Sequence, residues 1–416
     1  MVSTEHGSFS GLTTKTRTVS ALLLVLGIGI SLPSPCQAFP PPSQKQLAQW
    51  LKRFPQADTN KDGKLTVEEA EAFRKKFFRN RKPARPGAPA APKVDPRWEK
   101  KAFPENAVSL KSPEEIKEIF AGTTSGPAVT SYPRPKDGSL RIIGTGHSFM
   151  APGYKTLPQI AQAAGLKQPP LFTHTGGGMT GSTRYKWEQE NGIFQFDGRP
   201  KPRLLASLSN AKWDAMTWGP YFHDRPQYYE CWIDFALKFN PDMKFYLSDA
   251  WPQLDQLEKL PSSSEELTPA VFEKLGKEKN EIYGGLIGGL RKTYGKKVFI
   301  MPTSDAMVLA VKYFHEKKLP GVEGIHKLIG KKDRSLWRDR LGHLGPGFGQ
   351  LEGYVFYATL YGKSPELIKT DISFAGVNGY PGRDLDRTFR EIAWQAVVNN
   401  PLSGVVDKND DGIGDE

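Results

Sequence analysis

Two cysteines in 416 residues leave no material for a disulfide framework. Cys36 lies in a segment expected to be removed, so Cys231 stands without an intramolecular partner and folding does not depend on oxidation. Cys231 sits among Tyr229, Trp232 and Phe235, a setting that predicts a core residue rather than a reactive thiol. Histidine is scarce too: the seven present include no pair at zinc-ligand spacing, which argues against a zinc centre. The one long apolar run, Ala21–Ile30, falls short of the roughly 20 residues that cross a bilayer. No RNA- or DNA-reading motif is visible, so no nucleic-acid partner is expected. What the chain does have is a basic excess, 57 Lys and Arg against 45 Asp and Glu. Such a surface favours acidic polysaccharide or lipid head groups; the plainer reading is a solvated basic face. A hydrophobic content of 38%, with 11% aromatic, supports a large core and excludes global disorder.

The N-terminus has the layout of an export signal. Lys15 and Arg17 precede the apolar run, Pro33-Ser34-Pro35 breaks it, and Cys36-Gln37-Ala38 offers small residues at the −3 and −1 positions. Residues 1–38 are therefore expected to be a signal peptide cut after Ala38, a retained anchor being the alternative. Loss of Lys15, Arg17 and Glu5 with that segment takes the formal net charge from +12 to +11. The mature chain is expected to be secreted, periplasmic or in the cell envelope, with no transmembrane segment.

Residues 43–56 space Leu47, Trp50, Leu51 and Phe54 as an amphipathic helix, and a second helix is expected through Phe78. Between them runs Asp58-Thr59-Asn60-Lys61-Asp62-Gly63-Lys64-Leu65-Thr66-Val67-Glu68-Glu69. This resembles an EF-hand loop at every position. The resemblance implies calcium held by Asp58, Asn60, Asp62, the Lys64 carbonyl, Thr66 and bidentate Glu69, with Gly63 at the sharp turn. Only a loop that wraps the ion can supply six or seven oxygens from near-consecutive residues. The C-terminus repeats the first part of the pattern, with Asp407, Asn409, Asp411 and Asp415 at places 1, 3, 5 and 9. It also resembles the Asp-rich calcium repeats of extracellular adhesive proteins. EF-hands usually pair, so the two ends of the chain are expected to meet; an acidic solvated tail is the alternative.

The EF-hand module is assigned to residues 43–80. Residues 81–97, rich in Pro and Ala, read as a semi-extended linker preceded by a basic cluster from Arg74 to Arg85. Residues 98–400 form the large domain, and 401–416 the Asp-rich tail. Apolar runs at 140–145, 170–174, 213–218, 243–248 and 297–302 alternate with helical stretches near 154–165, 201–210, 226–239, 264–294 and 303–317. A further amphipathic helix is expected at 382–400. This alternation predicts a parallel sheet covered on both faces, with reactive groups at the carboxyl ends of the strands.

After the first run comes Gly144-Thr145-Gly146-His147-Ser148-Phe149, and after the second Gly176-Gly177-Gly178. Late in the chain, Asp339-Arg340-Leu341-Gly342-His343 leads through a glycine-containing loop to a helix ending Tyr361-Gly362-Lys363-Ser364-Pro365. These blocks resemble those of SGNH (GDSL-like) hydrolases over roughly residues 139–365. The family implies a three-layer α/β/α, flavodoxin-like parallel sheet, Ser148 as nucleophile, His343 as base and Asp339 as the acid that orients it. The oxyanion donors would be the N–H groups of Ser148 and Gly177, with Gly176 and Gly178 as alternatives, and the Gly219 N–H in place of the family's side-chain donor. Three departures stand out: His147 replaces the usual Asp or Asn, the acid lies four rather than three residues before the histidine, and Gly219 stands where the family has a side-chain amide. A serine–histidine dyad is the alternative to the triad. Of the other histidines, His174 ends a strand beside the glycine run, with a place in the pocket as the lesser alternative; His223 and His315 are expected at the surface, and Asp305 is expected to cap the helix after the fifth strand. The expected function is calcium binding joined to ester hydrolysis, with acylated carbohydrate as a plausible substrate class. The alternative is a non-catalytic, calcium-dependent binding protein of the cell envelope.

Overall fold

The computed structural model describes residues 55–70, 131–175, 204–221, 224–372 and 380–415. Shorter described pieces lie at 47–48, 51–52, 72–73, 184–185, 188, 195–196 and 199–200. The signal segment 1–38, the linker 81–97, Gly177 and His223 fall outside the described residues.

The centre is a sheet of five parallel strands: β1 (Ile142–Gly146), β2 (Phe172–Thr175), β5 (Ala215–Trp218), β6 (Lys244–Ser248) and β7 (Val298–Met301). A two-residue hairpin, β3 (Gln195–Phe196) and β4 (Arg199–Pro200), lies outside it. The spatial order is β2-β1-β5-β6-β7, with Ile143 facing Phe172 on one side and Met216 on the other. Each of the five apolar runs in the sequence becomes one of these strands. β1 is buried along its whole length, as a strand covered on both faces must be.

The two-residue period of the strands sorts their side chains into two cores. Ile142, Ala215, Tyr246 and Met301 point into one. They pack there with helices α1 (Ala151–Ala163), α5 (Thr303–His315), α7 (Phe348–Tyr361) and α8 (Gly382–Val398). Ile143, Met216, Phe245, Val298 and Ile300 enter the other, against α2 (Leu204–Asn210) and α3 (Gln227–Phe239). The long α4 (Pro269–Tyr294) serves both, with Phe272 and Leu275 in the first core and Tyr283 to Leu290 in the second. The fold is thus three-layered, α/β/α. α4 starts at Pro269 under a Thr268 cap, five residues later than the sequence pattern suggests, because 264–266 forms a separate short turn.

Helices α1 and α7 approach closely. A side chain at Gly153 would lie 2.6 Å from the Phe356 ring, and one at Gly353 would strike Thr156. This fixes the helix after Ser148 against the one that follows the His343 loop. That loop is built on a second, small parallel pair, β8 (Gly324–His326) and β9 (Ser335–Trp337), with the short α6 (Lys327–Gly330) between them.

Two expectations change. Asp305 does not cap α5: its carboxylate accepts from the amides of Asn280 and Asn400, each at 2.7 Å. The first turn is served instead by Asp249 at the end of β6, which accepts from Ser304 N–H at 2.8 Å and Thr303 hydroxyl at 2.9 Å. Burial and the nearby Asp305 push the Asp249 carboxyl up to about 8. Among the described residues no hydrogen bond joins the C-terminal stretch to the first loop. Ser364 N–H donates to Gly412 O, and Gly414 N–H to Gly362 O, both at 2.7 Å. Ile300 N–H on β7 donates to Leu402 O at 3.0 Å. The recorded partners of 401–415 are thus the end of α7, β7 and, through Arg291, α4. Among the described residues no helix is long and apolar enough to cross a membrane.

Candidate active site

In this sheet the chain reverses its winding between β1 and β5, and the crevice beyond those carboxyl ends is where open α/β sheets hold ligands. β1 ends at Gly146, and Ser148 stands exposed on a tight turn closed by Met150 N–H to His147 O, 3.1 Å. Helix α1 begins three residues on. No described residue accepts from the Ser148 N–H.

His343 arrives from 195 positions away with Nε2 2.8 Å from Ser148 Oγ. Its Nδ1 lies 2.9 Å from Asp339 Oδ2 and 3.1 Å from Oδ1, and its own backbone N–H donates to Oδ1 at 3.2 Å. The four-residue spacing closes because Gly342, at φ +87°, lets its N–H return to Asp339 O at 2.9 Å. The loop is then tied to β9 by Arg338 N–H to His343 O, 2.9 Å, and Gly345 N–H to Leu336 O, 2.6 Å. Trp251 Nε1–H holds Gly342 O at 2.5 Å, and its ring stacks on Phe149, whose edge meets His343. The structure therefore brings together Ser148, His343 and Asp339. Partial burial would raise the Asp339 acid, but the His343 N–H, the imidazole and Arg338 outweigh it and hold the carboxyl below its usual range.

Gly219 presents a different picture. Its N–H donates to Thr145 O at 3.3 Å, so that donor is already engaged along the sheet. A Cβ there would lie 2.7 Å from Met150 Sδ and 3.3 Å from His147 Nε2. The missing side chain at 219 is a steric requirement of this site. Of the three oxyanion donors expected, Ser148 has an open N–H, Gly219 is committed, and Gly177 is outside the described residues.

Two supports escaped sequence reasoning. His326, 2% exposed at the end of β8, accepts the Leu328 N–H on Nδ1 at 3.2 Å and lies close enough to Asp339 to feel its charge. Burial drives its pKa down to about 4, against the pull of Asp339. Arg184, fully buried, reaches Thr145 Oγ1 at 3.2 Å, His174 Nδ1 at 2.6 Å and Glu188 at 2.9 Å, beneath the ends of β1 and β2. A three-residue strand and a lone arginine in a glycine-rich stretch carry no periodic signal. His315 stays near the surface with Nε2 2.9 Å from Leu267 O. Cys231 is partly buried, and its surroundings push the thiol pKa up.

The loop at 58–69 folds around its own carboxylates. Gly63 N–H donates to Asp58 Oδ2 at 2.9 Å, Lys64 N–H to Asp62 Oδ1 at 2.8 Å, and Glu69 accepts from Thr59, Asn60 and Thr66. The Thr66 N–H and hydroxyl lead in holding Glu69 down at about 2. Asp58 is 9% exposed, and its Oδ1 is buried without a partner. The C-terminal loop repeats the arrangement: Gly412 N–H to Asp407 Oδ2 at 3.0 Å, Ile413 N–H to Asp411 Oδ1 at 2.8 Å, Asn409 amide to Asp411 at 3.0 Å, and Lys408 N–H to Asp415 at 2.7 Å. Lys61 and Asp410 share a left-handed φ, at 59° and 55°. Among the described residues, no group of three or more His, Cys, Asp or Glu side chains is drawn together closely enough to hold a metal ion.

No family model matches the chain, and no curated protein does. One solved structure, described as a candidate platelet activating factor from Streptococcus pneumonia, aligns over 61% of this chain and 94% of its own. The identity is 14% and the TM-score 0.30, a likeness too slight to support any functional conclusion.

Proposed function

We propose that this chain is an exported serine esterase with a calcium-binding N-terminal loop. The observation that carries the esterase reading is the 2.8 Å approach of His343 Nε2 to Ser148 Oγ, backed by the Asp339 contacts to Nδ1. A serine hydroxyl is a weak nucleophile until a base removes its proton, and this geometry supplies the base. Asp339 fixes the hydrogen on Nδ1, leaving Nε2 to accept. As Ser148 Oγ attacks an ester carbonyl, its proton passes to Nε2, and the carbonyl oxygen becomes anionic beside the Ser148 N–H. The imidazolium then protonates the departing alcohol as the C–O bond breaks, leaving an acyl-serine. Water, deprotonated by the same nitrogen, releases the acid and restores Ser148.

The substrate class we favour is acylated carbohydrate, met outside the cell by a basic protein. An active-site fluorophosphonate tests the reading: wild type should label and Ser148→Ala should not. A folded wild type that stays unlabelled sinks it. The engaged Gly219 N–H favours the second reading, a binding protein without turnover, and that same null result would promote it.

Calcium fits the first loop on one observation, the orphaned, buried Asp58 Oδ1, an oxygen that a cation would satisfy. Asp58, Asn60, Asp62, the Lys64 carbonyl, Thr66 and Glu69 would hold the ion, after Glu69 gives up its bonds to the loop amides. Asp407, Asn409, Asp411 and Asp415 offer a second, less complete set. Bound calcium would order the module and neutralise its carboxylates. Calorimetry with Glu69→Gln is the check; calcium heat that survives that substitution unchanged refutes the assignment.

A further inference from the structure

The mouth of the site has two walls, the turn that carries Ser148 and the segment from Gly219 to Tyr221 after β5. No side chain at 219 can join them, because Met150 and the His147 ring fill the space where its Cβ would sit. The joining comes from the opposite wall. His147 is 8% exposed, its Nδ1 lies 3.3 Å from Phe149 N and its Nε2 3.3 Å from Pro220 O. Its ring stacks on Tyr221 at 4.8 Å between centroids. A backbone N–H can only donate, so Nδ1 accepts and the ring hydrogen belongs to Nε2, which donates to the Pro220 carbonyl. The Tyr283 hydroxyl reaches the same carbonyl at 3.4 Å and steadies it.

We propose that His147, as a neutral imidazole, is the positioning residue of this site. It clamps the residue after Ser148 to the wall across the crevice and so fixes where the nucleophile and its open N–H stand relative to an ester. The proposal rests on the esterase reading and adds a residue that reading does not use. His147 spends both nitrogens on backbone and none on Ser148, so it is separate from the base, His343. Its Nδ1 bond falls on Phe149, directly beside the nucleophile. A shift of about 1 Å at that point is enough to cost on the order of 100-fold in rate.

Three substitutions take the clamp apart. His147→Phe keeps a ring on Tyr221 and removes both bonds. His147→Asn keeps an acceptor near the Nδ1 position, and His147→Gln a donor near the Nε2 position. With p-nitrophenyl acetate, His147→Phe should lower kcat about 10- to 100-fold while KM moves less than about 3-fold. The two amides should each recover part of the loss, at a melting temperature close to that of wild type. The proposal is overturned by a His147→Phe kcat within about 3-fold of wild type in an enzyme that Ser148→Ala inactivates. A loss that follows the melting temperature and that neither amide relieves overturns it equally. Hydrogen exchange at the Phe149 amide gives a readout independent of turnover. It should be slow in wild type and His147→Asn and fast in His147→Phe, and equal rates refute the clamp. Absent turnover in wild type with the exchange pattern intact would remove the esterase reading, and with it the positioning role.

Discussion

Replacing Asp339 by Asn decides whether this site is a triad or a dyad. Asp339 Oδ1 accepts from both the His343 backbone N–H, at 3.2 Å, and the ring Nδ1–H, at 3.1 Å, while Oδ2 takes the ring alone at 2.9 Å. Asn has one oxygen for these donors. If that oxygen stays with the backbone N–H, the amide nitrogen faces Nδ1 at bonding distance, and Nδ1 must become the acceptor. The ring hydrogen then moves to Nε2 and points at Ser148 Oγ, so the base is lost. Where a buried acid is replaced in this way, kcat falls about 10⁴-fold. Asp339 keeps 39% of its side chain in water and Arg338 stands 3.4 Å away, so some molecules can re-form the productive tautomer. A fall of about 10²- to 10⁴-fold is expected, or roughly 3–5 kcal/mol of barrier. Steady-state hydrolysis of p-nitrophenyl acetate at pH 8 measures it, with Ser148→Ala as the floor. A variant that keeps more than about a tenth of the wild-type kcat would show that Asp339 does not orient the base.

Other consequences are as direct. Gly219→Ala places a methyl 2.7 Å from Met150 Sδ and 3.3 Å from His147 Nε2, and overpacking of this kind costs about 1–3 kcal/mol. Thermal unfolding should shift downward, and an unchanged midpoint would mean that Met150 yields freely. His326 makes acid stability a test of the platform under Asp339. Its folded pKa lies at about 4, below the ordinary 6.5. Above pH 6.5 both folded and unfolded chains leave it neutral and its contribution is whole. As pH falls towards 4 the unfolded chain takes a proton that the fold refuses, and up to roughly 3 kcal/mol is lost. Urea midpoints at pH 7 and pH 5 should therefore converge more for His326→Gln than for wild type; parallel losses would contradict this.

The five strands were legible because each is a short apolar run bounded by turn formers. Runs such as Arg141-Ile142-Ile143-Gly144 admit no other use in a chain that must cover both faces of a sheet. Helix positions followed from their period, with starts misplaced only where a proline or a short turn intervenes, as at Pro269. Ser148, His343 and Asp339 could be named from sequence, but their meeting could not, since it depends on the crossover order and on one glycine, Gly342, at a left-handed φ. The supports were hidden for a different reason. His147 reaches the Pro220 carbonyl from another segment and His326 is buried beside Asp339, and nothing in the residues next to either announces a partner that arrives from elsewhere. The same holds for Asp249, which took the capping role expected of Asp305 by coming from a neighbouring strand.

The sheet's outer border at β7 is met by the last stretch of the chain, where the carbonyl of Leu402 takes the N–H of Ile300 and Gly404 lies flat on the Phe299 ring. An unguarded border of this kind is an invitation for a neighbouring molecule to dock its own strand. Those residues thus act as a seal against self-association. Trimming them should yield a protein that still closes its Ser148 crevice yet clumps on concentration.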